Sequence, residues 1–211
     1  MSVHPTFDAL LRSLEEGPTV RSIGIDRTPR GQRSAAVLML FTDEADPSLT
    51  FLTRAETMRR HAGQIALPGG AVDDTDVDRR HTALREANEE VGLEAEHVTV
   101  HGELPALWVP ASNYDVTTVV ATWPGGHPLR ALDPREVDAV HSYRVSELAS
   151  PTTRVVGRHP SGFRGPAFVF GDQFIWGLTA HLVSWALDLA EWTVPWDKSR
   201  VLDIPERYMR D

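Results

Sequence analysis

The chain has 211 residues, 41% of them hydrophobic and 24% charged, and a formal net charge of −9 at pH 7. That size and balance suit one domain with a substantial core, while the acidic surplus argues against a general nucleic-acid surface, which would be basic. There are no cysteines, which excludes disulfides and zinc–thiolate sites, and no apolar run is long enough to span a bilayer. Met1 to Glu16 lacks the basic start and apolar core of a signal peptide, so a cytoplasmic protein with a small-molecule substrate is expected. No feature bears on oligomeric state, and a homodimer is left open.

In chain order, Thr6 to Glu15 spaces Phe7, Leu10, Leu11 and Leu14 helically and predicts a short amphipathic helix. Gly17 to Arg33 is rich in Gly, Pro and Arg and reads as a connector, closing an N-terminal region over residues 1–33. Ala35 to Phe41 is a continuous apolar run of strand length, as expected of a strand buried on both faces. Leu49 to Arg54 follows the Asp46-Pro47-Ser48 turn as its neighbour. Glu56 to Gln64 is a polar, basic loop, Ile65-Ala66-Leu67 leads into Pro68-Gly69-Gly70, and Asp73 to Asp78 is an acidic loop.

A helix is expected from about Arg79 to Val91, then a strand over His97 to Leu104, a rim loop over Pro105 to Tyr114, and a Val/Thr-rich strand over Val116 to Trp123. Pro134-Arg135-Glu136-Val137 begins another element, which ends in a turn or short helix at Ser146-Glu147-Leu148. Pro160 to Pro166 is a loop before the short strand Ala167 to Phe170. Phe174 to Trp192 reads as one long apolar helix, and residues 194–211 form a tail. With no repeat and no linker, residues 1–211 form a single domain. The pattern alone supports α/β or α+β, with helices on both faces of a mixed sheet.

The stretch with the most chemistry is Gly69 to Leu93. At roughly 100° per residue, Glu86, Glu89 and Glu90 project within a sector of about 100°, and Leu84, Ala87 and Val91 cluster opposite. Three carboxylates this close repel one another unless a cation offsets them, and oxygen-only ligands suit Mg²⁺ or Mn²⁺. Gly92 supplies a helix stop, and the Gly69-Gly70 pair permits a tight turn with exposed carbonyls. A solvated acidic helix face is the competing reading of the glutamates alone.

With Arg85, Gly92 and the glycine pair at fixed offsets, the stretch resembles the Nudix box, G-x5-E-x7-R-E-U-x-E-E-x-G-U with U aliphatic. This chain reads Gly70-x5-Asp76-x8-Arg85-Glu86-Ala87-x-Glu89-Glu90-x-Gly92-Leu93. Asp76 stands where the first Glu is expected, and one extra residue precedes Arg85. The resemblance implies an α/β/α sandwich with a mixed sheet and a hydrolase that cleaves a diphosphate linked to another moiety. Upstream, Arg54-Ala55, Arg59, Gly63 and Pro68-Gly69-Gly70 are similar to the motif of Nudix coenzyme A diphosphatases, R-[SA]-x3-R-x3-G-x3-F-P-G-G. The chain departs from it at Leu52 and at Leu67, where Phe is usual. Thr82 to Glu86 and Ile175 to Ala180 also look like this subfamily.

The resemblance implies attack of water on a diphosphate phosphorus with Mg²⁺ or Mn²⁺ as cofactor. Glu89 and Glu90 are the candidate metal ligands, with Glu86 and the Gly70 carbonyl as additions. Glu86 is alternatively the base that takes the proton of water, and Glu136 is a candidate ligand or base from outside the box. Arg85 can orient Glu89 through an i,i+4 pair. Arg54, Arg59 and Arg60, with Gly69 and Gly70, are the candidate substrate-binding residues, since guanidinium forks suit phosphate oxygens. His61 is expected to hydrogen-bond within its loop, and Trp108 or Tyr114 offers a ring for adenine. The alternatives are a Nudix hydrolase of another nucleoside diphosphate derivative, such as ADP-ribose or a dinucleotide, and a non-hydrolysing nucleotide sensor.

Overall fold

The computed structural model describes residues 3–19 and 27–209; the part of the connector over residues 20–26 lies outside the described residues. Helix α1 (Asp8–Glu16) follows a 3-10 turn at Pro5–Phe7 and ends at Gly17, whose φ is 73°. It buries Phe7 and Leu10, the apolar positions of the predicted amphipathic face.

Strand β1 (Arg33–Thr42) is the axis of the main sheet. It runs parallel to β6 (Tyr114–Trp123) over its full length, from Arg33↔Tyr114 to Thr42↔Trp123. On its other side β1 changes partner. Near its end it meets β2 (Ser48–Arg54) at Phe41↔Leu49, and near its start it pairs with β4 (Gly69–Ala71) at Ala36↔Gly70. Beyond β2 lie β3 (Ile65–Ala66) and β7 (Val137–Arg144), and β5 (Thr99–Val109) pairs antiparallel with β6. The sheet is therefore mixed.

Alternation along β1 loads both faces. Leu38 and Leu40 pack with Ala83, Ala87 and Val91 of α2 (Arg79–Val91), whereas Met39 and Phe41 pack with Phe7 and Leu10 and with α4 (Gly177–Leu189). The expected α/β/α sandwich is the observed architecture. A short α3 (Val145–Ala149) follows β7. Among the described residues a smaller four-stranded sheet runs in the order β10-β9-β8-β11. Its strands are β8 (Arg154–Arg158), β9 (Arg164–Phe170), β10 (Gln173–Ile175) and β11 (Val201–Asp203).

Three expectations need correction. The rim loop at Pro105 to Tyr114 is mostly strand: β5 runs to Val109, and its register shifts between Leu104 and Leu107. β5 pairs with β6 alone, and a proline without an N–H is tolerated on such an edge at a bulge. The helix predicted from Phe174 begins at Gly177, because Phe174 and Ile175 pair with Val169 and Phe168 as β10. The tail, for which no strand was expected, contributes one: Val201 to Asp203 join β8 in parallel. No helix among the described residues is long and apolar enough to cross a membrane.

Candidate active site

The acidic stretch forms α2, capped by the Asp78 carboxylate, which accepts from the His81 N–H at 2.8 Å, and stopped by Gly92 at φ 72°. The sheet-facing stripe is Ala83, Ala87 and Val91, joined by Glu90, which is only 4% exposed. Leu84 is half-buried and packs against the same cluster, as expected. The three glutamates thus do not share one exposed face: Glu89 is 58% exposed, Glu86 16% and Glu90 4%.

Arg85 ties the site together. Its Nε and Nη2 donate to both oxygens of Asp76 at 3.0 Å, its Nη1 to Glu89 at 3.1 Å, and its Nη2 to the Ala71 carbonyl at 3.2 Å. Nη2 also lies 2.9 Å from a Glu86 oxygen. Asp76 is fully buried and accepts in addition from Thr82 Oγ1 and the Asp73 N–H at 2.9 Å. The Arg85 hydrogen bonds, helped by Asp73 and Thr82, hold its carboxyl far below the usual carboxylate range, and Asp76 holds Arg85 raised in turn. Asp76 is therefore a clamp on Arg85. Sequence reasoning noted it only as a departure from the box; the signal that could have found its role was a carboxylate in the acidic loop leading to Arg85, the arginine of the box pattern, which also meets Glu86 and Glu89.

This clamp has a testable cost. Asp76→Asn should lower stability by about 3 kcal/mol at neutral pH, because it removes one partner of a buried, bidentate pair. Because the folded carboxyl lies below its unfolded value, the stabilisation is complete above pH ~4 and is lost as pH falls further. Denaturant titrations at pH 7 and pH 3 should show the variant's deficit shrinking in acid; an equal deficit at both would contradict the clamp.

Around this anchor the remaining groups converge from other elements. A Cβ on Gly70 would meet the Glu86 carboxylate at 2.5–2.6 Å, so a larger residue here would displace that carboxylate from β4. Gly69, at φ 151°, would meet the Ala36 carbonyl at 2.4 Å, and its N–H donates to Glu90 Oε2 at 2.8 Å. Arg54, at the end of β2, reaches within 4.0 Å of Glu90 Oε1, and its buried Nε has no acceptor among the described residues. Burial pushes the Glu90 carboxyl up to about 7, with Glu86 and Glu136 adding to the rise and Gly69 and Arg54 opposing it. Burial likewise raises Glu86, where Arg85 opposes and Glu89 and Glu136 reinforce. Glu136 itself is exposed just before β7, and its carbonyl accepts from the Ala55 N–H at 2.8 Å.

This donor set fits a hard divalent cation. It offers oxygens alone, in a place where burial, reinforced by neighbouring carboxylates, disfavours the charge on Glu90, an imbalance a dication relieves. Arg85 keeps Glu86 and Glu89 on separate guanidinium nitrogens. A group whose ligand atoms all lie within 4.8 Å of one another is instead Glu94, Glu96 and His97, on the exposed turn after α2.

Other candidates fall at varying distances from this centre. Arg59 and Arg60 are exposed in the loop between β2 and β3. The loop is closed by Arg54 N–H to the Gln64 carbonyl and Gly63 N–H to the Arg54 carbonyl. His61 Nδ1 pairs with Gln64 Oε1 at 3.1 Å. Trp108 and Tyr114 are covered by arginines, Arg30 at 4.0 Å and Arg33 at 4.2 Å from their ring centres, so neither ring is a bare platform for adenine.

Residues 32–161 match the NUDIX domain family. The chain is 38% identical over 162 residues to the Nudix hydrolase NudL of Cronobacter sakazakii, covering 75% of this chain and 83% of that one. It is 36% identical to NudL of Escherichia coli K12 over the same shares. Among solved structures it is similar to DR0079 from Deinococcus radiodurans, at 15% identity and a TM-score of 0.49, covering 80% of this chain and 90% of that one. The chain belongs to the Nudix hydrolase family.

Proposed function

We propose that this Nudix hydrolase is a Mg²⁺- or Mn²⁺-dependent diphosphatase that cleaves coenzyme A or its thioesters. The products are 4′-phosphopantetheine, or its acylated form, and 3′-phosphoadenosine 5′-phosphate. The observation that supports the reading is the segment from Arg54 to Gly70, which is similar to the coenzyme A diphosphatase motif and has Arg54 within 4.0 Å of Glu90. The two departures from that motif, Leu52 and Leu67, are both core residues, 0% and 3% exposed, so they alter packing and not a contact with substrate.

Glu86, Glu89 and Glu90, with the Gly70 carbonyl, would hold the cation, which offsets diphosphate charge and makes a bound water acidic near neutral pH. Arg85 fixes Glu89 and Glu86 in place, itself locked by Asp76. Glu86 and Glu136 are the carboxylates that can take the proton of the attacking water. Arg54, Arg59 and Arg60 supply cations for the phosphates in an otherwise acidic chain, and more than one is useful because coenzyme A carries a 3′-phosphate beside its diphosphate.

Neutralising Arg54 or Arg59 should raise KM, and lower kcat in part, by about 1.5–3 kcal/mol, the worth of a charge-assisted contact. One of the two variants should also lose discrimination between coenzyme A and its 3′-dephospho form. Steady-state kinetics on both substrates check this, and an unchanged preference in both variants would place the 3′-phosphate elsewhere. A panel of nucleoside diphosphate compounds with either metal tests the assignment as a whole. Preferred cleavage of ADP-ribose or a dinucleotide would leave the family intact and overturn the coenzyme A reading.

A further inference from the structure

A cavity among the described residues lies away from the acidic helix. It is a groove of about 750 Å³ between the smaller sheet and α4. Its Trp185 packs in the core layer on the α4 side of the main sheet, opposite the layer that holds α2. Two features set its chemistry. Arg154, 3% exposed, and Trp185, 3% exposed, each carry a buried N–H donor, Nη1 and Nε1, with no acceptor among the described residues. Arg154 Nη2 donates to Ser184 Oγ at 2.6 Å, and Ser184 precedes Trp185 on α4; Arg154 and Trp185 both line the groove.

The charge of the groove runs against that of the chain. Arg154, Arg164 and Lys198 line it against one carboxylate, Asp188, and that carboxylate already accepts from Thr193 Oγ1 at 2.5 Å. His181 adds no acid: its Nδ1 donates to the Gly177 carbonyl at 2.7 Å, and burial lowers its pKa. A buried guanidinium with an idle donor suits an oxyanion, which can accept from Arg and Trp together. Val156, Pro166, Val194 and Trp196 supply apolar lining. The Trp196 indole lies 4.8 Å above the guanidinium, on a stretch over residues 193–200 that is neither helix nor strand.

We propose that this groove binds a small molecule carrying a phosphate or carboxylate group on a flat apolar body. The oxyanion takes the donors of Arg154 and Trp185, Arg164 and Lys198 draw it in from the rim, and the body lies against Trp196. The site is independent of the diphosphatase assignment.

Calorimetry on the full chain with chelator present, so that no metal recruits phosphate to the acidic helix, tests the proposal with phenyl phosphate, benzoate and inorganic phosphate. Phenyl phosphate or benzoate should bind and change tryptophan emission, the tighter of the two identifying the oxyanion, while inorganic phosphate, lacking the body, should bind at least ~10-fold more weakly. Arg154→Met and Lys198→Ala should each weaken binding about 10-fold or more, and Glu89→Gln should leave it unchanged. Lys198 is exposed, so its variant tests the site even where Arg154→Met fails to fold. The proposal is overturned if neither aromatic anion saturates below ~10 mM, if Lys198→Ala binds like wild type, or if Glu89→Gln abolishes binding.

Discussion

Glu89→Gln and Glu90→Gln should each lower turnover by about a hundredfold or more, since each removes a carboxylate from the set proposed to hold the cation. The two variants should part company in stability. Glu89 is 58% exposed, so its loss should leave the fold untouched. Glu90 is 4% exposed, with its carboxyl pushed up to about 7 by burial and by Glu86 and Glu136. A folded pKa above the unfolded one means that stability is full below about pH 4.3 and is lost as pH rises through 7. In metal-free protein the fully ionised group costs roughly 3 kcal/mol. Glu90→Gln should therefore melt higher than wild type at pH 8 without metal and much the same at pH 4. Turnover within a few-fold of wild type in both variants would rule out this metal site.

Glu86→Gln should keep substrate binding and lose most turnover. Its carboxylate packs against Gly70 and is held by Arg85, a placement suited to taking a proton beside a bound diphosphate. The wild-type rate should climb as pH rises above neutrality, because hydroxide-like water becomes more accessible. Equilibrium binding of coenzyme A beside single-turnover kinetics separates the two effects. A variant that loses affinity and rate together would confine Glu86 to holding the cation and leave the base to Glu136.

Much of this fold is written in local pattern. The run Ala35 to Phe41 is apolar at every position because β1 has a helix layer on each side, and Asp78 and Gly92 bracket α2 with their own cap chemistry. What local pattern could not carry was decided by partners far away in the chain. Phe174 and Ile175 continue the apolar spacing of α4, yet pair with β9 as strand. Val201 to Asp203 have no strand signature of their own and are ordered by β8. Helical geometry placed Glu90 beside Glu86 and Glu89, but its burial depends on β4, whose Gly69 N–H comes from outside the helix. Asp76 was visible only as a break in a motif, because its role needs the loop to fold back on Arg85.

The most direct test incubates purified protein and Mg²⁺ or Mn²⁺ with coenzyme A and identifies the products by mass. Catalytic release of 3′-phosphoadenosine 5′-phosphate together with 4′-phosphopantetheine is the predicted result. Tight metal-dependent binding with no 3′-phosphoadenosine 5′-phosphate after long incubation would contradict it and make the acidic helix a ligand cradle.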